Sequence, residues 1–136
     1  MVHAHTGSER SQRLRMWLAS LVIVGVLAAI IGPLAVDQAK KGVDARVKSD
    51  LTAVQTAITD WMLTHQNVPH LSVTGTTVTL DGVEVAHIHA GTQLSELSGL
   101  TSSTWCLTAF DEAGKHADPP GYRYDAAEGS IETGKC

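Results

Sequence analysis

Two cysteines, seven histidines and a run of carboxylates are the side chains of this 136-residue chain whose types and spacing could do chemistry. Cys106 and Cys136 lack CxxC spacing, so a metal pair is not the expectation. Two cysteines allow one connectivity, and a disulfide persists if both lie on the oxidising side of a membrane; two buried free thiols are the alternative. Closing a loop of about 30 residues would stabilise the fold by roughly 3–4 kcal/mol in the chain-entropy account. His87 and His89 sit at i, i+2 in a possible strand and point to one face, and His65 and His70 could lie near them. Zinc needs three or four converging ligands, and no cysteine or carboxylate accompanies these histidines at tight spacing, so ordinary surface histidines are expected. His3 and His5 have the same spacing in a segment without ordered partners. Asp111, Glu112, Asp118 and Asp125 are dense in the hard oxygen ligands that calcium takes. They follow no EF-hand pattern and read first as solvated loop charges, so no cofactor is expected and calcium is the alternative. The serines and threonines have no GxSxG elbow and no paired histidine. An enzyme is therefore not expected.

The stretch that must position everything else is Met16–Val36, MWLASLVIVGVLAAIIGPLAV: twenty-one residues without a charge. It is long enough to cross a bilayer core of about 30 Å as a helix. Arg10, Arg13 and Arg15 precede it and Trp17 stands at its mouth, which predicts an N-terminus inside and the remainder outside. A cleaved signal peptide would have a shorter apolar core and a small-x-small cut site. A core helix of a soluble protein would need more large apolar partners than the following hundred residues hold. Gly25, Ala28 and Ala29 offer a surface for close helix approach. Pro33, after Gly32, removes a backbone donor, so a kink is expected there.

The organisation that follows is a basic cytoplasmic tail (1–15, read as disordered), a membrane-spanning half-helix (16–36), an amphipathic half-helix (37–67) and an extracytoplasmic β domain (68–136). Val43, Val47, Leu51, Val54, Ile58, Trp61 and His65 recur every three or four residues, one apolar stripe of a helix. Asp44 and Lys48 suit an i, i+4 ion pair. Pro69 biases Val68 out of the helical region and ends the helix near Asn67. Span and stripe together make about 50 residues of helix, roughly 75 Å. Beyond Pro69 the period is two. Asp81-Gly82 between Thr76–Leu80 and Val83–Val85 is a hairpin signal, Gly91–Gly99 reads as a connection, and Thr104–Phe110 and the Tyr122–Tyr124 stretch complete the strands. The expected fold is α+β: a long helix packed by Val43–Trp61 on a small antiparallel sheet of about four strands. Residues 37–136 carry seven basic against thirteen acidic side chains, which excludes the basic face that nucleic acid requires. The three arginines of the tail suit an anionic inner leaflet instead.

Two stretches, Gly25–Leu51 (GVLAAIIGPLAVDQAKKGVDARVKSDL) and Gly121–Cys136 (GYRYDAAEGSIETGKC), resemble the type IV pilin and type II secretion pseudopilin family. The first is similar to that family's apolar run into a proline and then a basic, Ala-rich helix. The second resembles its tyrosine strand, glycine turn and final cysteine, which pairs with one about 30 residues earlier, as Cys106 is placed. The resemblance implies a pilin-like fold and a subunit, major or minor, of a pilus or pseudopilus filament. The subunit would be stored in the cytoplasmic membrane, would polymerise with like subunits at the cell surface and would depend on a separate assembly platform. Some pseudopilins bind calcium in C-terminal loops. The family's leader glycine, the phenylalanine after it and its early glutamate would fall near Ser11, Gln12 and Met16, and none matches; Gly7 is followed by Ser8-Glu9-Arg10. An uncleaved, membrane-anchored accessory or binding protein that does not polymerise is the alternative expectation.

Overall fold

The computed structural model describes residues 7–99 and 101–136; within α1 the surroundings of side chains 7–14, 17 and 23–31 are not described. Among the described residues the chain forms one helix and seven strands. Helix α1 runs Gly7–His65, 59 residues, with Pro33 inside it. Its start corrects the expectation of a disordered tail up to Arg15. From Ser8 to Val24 the sequence has no glycine or proline and is rich in Arg, Leu, Gln and Met, so nothing local opposes extending the helix of the apolar run. At the other end Gln66 takes a left-handed conformation (φ 56) and its N–H donates to the Met62 carbonyl at 3.0 Å. This is the αL cap that ends many helices.

The chain divides into two units, residues 1–38 and 39–136. In the first, Met16, Leu18, Leu21, Val22, Leu34 and Val36 are each more than half exposed. Among the described residues no helix is long and apolar enough to cross a membrane. Trp17 and residues 23–31 of the uncharged run lie outside those whose side chains are described, and with them the Gly25, Ala28 and Ala29 packing face. Gly32 is open, with nothing within 4 Å of where a Cβ would stand.

The second unit is α+β. Its strands form two antiparallel sheets, not the single sheet of about four strands that the sequence suggests. One sheet has the order β1 (Leu71–Thr74), β2 (Thr77–Leu80), β3 (Val83–His87); the other has the order β4 (Gln93–Leu94), β5 (Cys106–Phe110), β6 (Tyr122–Asp125), β7 (Ser130–Thr133). The β2–β3 hairpin turns on Asp81 and Gly82, both at positive φ (48 and 82), as the tight type I′ connection demands. Strands β1 and β7 have short, mostly exposed sequences, and their pairing comes from the Gly75 and Gly129 turns. The Gly91–Gly99 connection contains β4.

The core lies where α1 meets both sheets. Val47, Leu51, Val54 and Ile58 of the helix are fully buried with Val78 and Leu80 of β2 and Leu107 and Ala109 of β5; Trp105, Tyr122, Ile88 and Ala117 close around them. Alternation along β5 puts Trp105, Leu107 and Ala109 inward, as period two requires. The stripe is graded at its ends. Met62 is buried (5 % exposed), whereas Val43 and Trp61 pack only at the periphery. At about 100° per residue, positions 61 and 62 straddle the centre of the buried face, and the sheets close over the second.

At Gly99 the backbone passes very close to another segment of the chain. The residue sits at φ 112, and a Cβ there would overlap the Thr104 carbonyl oxygen and the Trp105 Cα. Gly99→Ala should cost about 2–3 kcal/mol, while Gly129→Ala, at φ 66 with open space around it, should cost about 1 kcal/mol. Urea midpoints of the two variants check this, and equal midpoints would contradict the backbone overlap.

Candidate functional site

The functional side chains gather on α1 and on the loops that meet it. Asp44 and Asp50 are polar residues on the buried side of the stripe, three before and three after Val47, and are 6 % and 3 % exposed. The Asp44 carboxylate accepts from the backbone N–H groups of Lys115 (2.9 Å), His116 (3.0 and 3.2 Å) and Ala117 (2.9 Å). It thereby gathers the β5–β6 loop onto the helix. Burial pushes this carboxyl up, but the amides of Ala117, His116 and Lys115, with the His116 charge, outweigh it, and the net direction is down. The i, i+4 pair with Lys48 is replaced: the Lys48 ammonium stands 4.7 Å from the centre of the Tyr122 ring. Burial and then the Asp44 charge raise the Tyr122 hydroxyl above its ordinary value.

Asp50 holds the β3–β4 connection in the same way. It accepts from His89 N–H at 3.0 Å and from the Thr92 hydroxyl at 2.6 Å, and it meets His89 Nδ1 at 2.8 Å. An aspartate on Nδ1 orients an imidazole, the arrangement found in acid–base dyads. Here the Thr92 proton is spent on the same carboxylate, so the trio joins helix to loop and offers no activated hydroxyl. Sequence reading missed both aspartates as core anchors. Their spacing from Val47 was the available signal, since residues three apart share a helix face.

The other predicted ligands are dispersed. His87 pairs with Glu84 at 3.0 Å on the surface, and His65 stacks on Trp61 with centroids 3.9 Å apart. His70 uses its backbone to meet Asp81. Asp111 and Asp125 each cap a nearby backbone amide, those of Ala113 and Ala127. Among the described residues no three His, Cys, Asp or Glu side chains converge to hold a metal ion, so the calcium alternative on Asp111, Glu112, Asp118 and Asp125 finds no assembled site. Cys106 and Cys136 form a disulfide.

Among the described residues, two of the grooves lie beside the core. One, of about 510 Å³, runs between the Ala53–Thr64 flank of α1 and Val83 and Val85 of β3. Trp61 lines it, and its enclosed Nε1–H finds no acceptor among the described residues; such an orphan costs about 1–3 kcal/mol. The other, of about 560 Å³, lies on the outward side of β5 over Thr108 and Phe110. No protein family, curated protein or solved structure matches this chain. The functional reading therefore rests on the residues themselves.

Proposed function

We propose that this protein is a structural subunit of a pilus-like or pseudopilus filament, held in the cytoplasmic membrane by its apolar half-helix before assembly. One observation carries the reading. A single helix, Gly7–His65, contributes Val47–Met62 to a folded α+β unit, while its uncharged run Met16–Val36 is exposed at every described side chain. Apolar surface left in water costs about 25 cal/mol per Å², so that run needs an apolar home. Lipid supplies one, and copies of the same helix supply a second. Moving between the two leaves little apolar surface in water, which suits a subunit drawn from a membrane into a filament. Heterologous contacts that do not close produce open filaments. The partners are then like subunits, lipid and a separate assembly platform, with no catalytic role, no resident cofactor and no direct nucleic-acid contact.

A second reading is favoured by the residues near the front of the run. Met16 stands where the resembled family has its early glutamate, and an intramembrane carboxylate would be a strong polar attractor between helices. Without it, association falls to small-residue packing. This version is an uncleaved, anchored accessory or binding protein.

Protein sheared from cells, taken for intact mass and N-terminal sequencing, tests the two. A processed N-terminus in the sheared fraction is the expected result. Full-length chain confined to membranes would defeat the filament reading and leave the anchored one.

A further inference from the structure

We propose that Gly134–Cys136 is a strap over the outer face of β5, locked by the Cys106–Cys136 disulfide and released by a dithiol while the core stays folded. The inference stands apart from the filament reading, because it concerns only the second unit. By the period of two along a strand, residues 106, 108 and 110 of β5 lie on the face opposite the buried Leu107 and Ala109, and on that outer face Thr108 is itself covered, 5 % exposed. The chain leaves β7 at Thr133, whose register partner in β6 is Tyr122, and then turns back across this outer face. Gly134 N–H donates to the Gly121 carbonyl at 2.8 Å. Cys136 N–H donates to Thr108 Oγ1 at 3.0 Å, and its sulfur is bonded to Cys106. Lys135 and Cys136 thereby form one wall of the groove of about 560 Å³ above Thr108 and Phe110, with Ser95 and the Pro119–Pro120 turn among the others. No buried core residue belongs to the strap. The covalent link thus acts on a surface segment, and the groove keeps its full set of walls only in the oxidised protein.

The two residues differ in exposure: Cys136 is exposed and Cys106 partly buried. A dithiol reductant therefore meets the Cys136 sulfur first. Its thiolate forms a mixed disulfide with Cys136, the Sγ–Sγ bond breaks, and Cys106 leaves as a thiolate that takes up a proton. The second thiol of the reductant then displaces Cys136 and ends as a cyclic disulfide. Two electrons pass to the protein, which gains two thiols. Two hydrogen bonds, one to a carbonyl and one to a hydroxyl, are left on a three-residue segment, too few to keep a chain end ordered.

Amide exchange of the full-length chain in detergent micelles, followed by NMR before and after dithiothreitol, tests this. The Gly134 and Cys136 amides should lose their protection and exchange like those of an unstructured chain end, while Leu107, Ala109 and Tyr122 stay protected, quickened together only as far as the lost loop constraint on the unfolded chain allows. The double variant Cys106→Ala/Cys136→Ala should match the reduced protein. In the oxidised protein, Thr108→Val should speed exchange of Cys136 and leave β5 unchanged. Loss of protection at Leu107, Ala109 and Tyr122 together with the strap, or a double variant that does not fold, would overturn the proposal by making the disulfide a staple of the core. An unchanged strap after reduction would overturn it too.

Discussion

Val22→Asp should lower the carbonate-resistant membrane fraction of this protein roughly 30- to 150-fold, measured as the ratio of pelleted to soluble chain. A carboxylate inside a spanning helix costs about 2–3 kcal/mol in insertion, less towards the ends than at the centre, and each 1.4 kcal/mol is tenfold. Val22 is the seventh residue of the uncharged run and is 64 % exposed. Leu63→Asp is the matched control. Leu63 is 75 % exposed on the same helix, but it lies in the folded unit. If retention reflected generic surface apolarity, both variants would fall together. Only lipid around residues 16–36 makes the first fall and the second stay. Equal retention of Val22→Asp and wild type would remove the membrane from the functional reading.

Asp44→Ala should destabilise the second unit by about 2–4 kcal/mol, the cost of leaving loop amides without their acceptor. For a unit of this size the thermal midpoint should drop by roughly 10–25 °C. Of the three donors only Ala117 is fully buried; Lys115 and His116 are exposed and recover water, which keeps the cost below three full orphans. Asp44→Asn should fall between wild type and alanine. An amide oxygen at the Oδ1 position keeps the bonds of Lys115, His116 and Ala117 but sets an NH₂ against His116 N–H, which now also donates to Oδ2. The sign of the pH dependence follows from the lowered folded value. The unfolded chain takes up the proton first as pH falls, so the Asp44 contribution is complete above the ordinary carboxyl value of 3.8. It is lost as pH drops through the folded value. The side chains that act electrostatically on this carboxylate, His116 and Tyr122, include no second carboxylate. Wild type should therefore lose thermal midpoint more steeply than Asp44→Asn between about pH 5 and pH 2. Parallel curves would show that the carboxylate charge does not hold the loop.

What the sequence by itself determined is what neighbouring residues decide among themselves. The helical period of Val47, Leu51, Val54 and Ile58, the Asp81-Gly82 turn and the inward row of β5 all depend on backbone geometry repeating over a few residues. The identity of the pair, Cys106 with Cys136, needed no more than the number of cysteines. The uncharged length of Met16–Val36 is likewise a property of the chain alone. Tertiary structure decided the rest. Asp44 and Asp50 carry the same side chain as any solvated helix aspartate. They became core anchors because loops 71–73 and 39–42 residues away in sequence bring amides and a hydroxyl to them. Strands β1 and β7 pair because Gly75 and Gly129 reverse the chain beside stronger strands, and the expected single sheet is two because, among the described residues, no strand of β1–β3 pairs with one of β4–β7. Met62 is buried more deeply than Trp61, which packs against the core from its edge, because the sheets, and no local preference, chose which edge of the stripe to cover. Contacts made across such separations depend on where the whole fold sets its loops, and a local pattern carries no record of that.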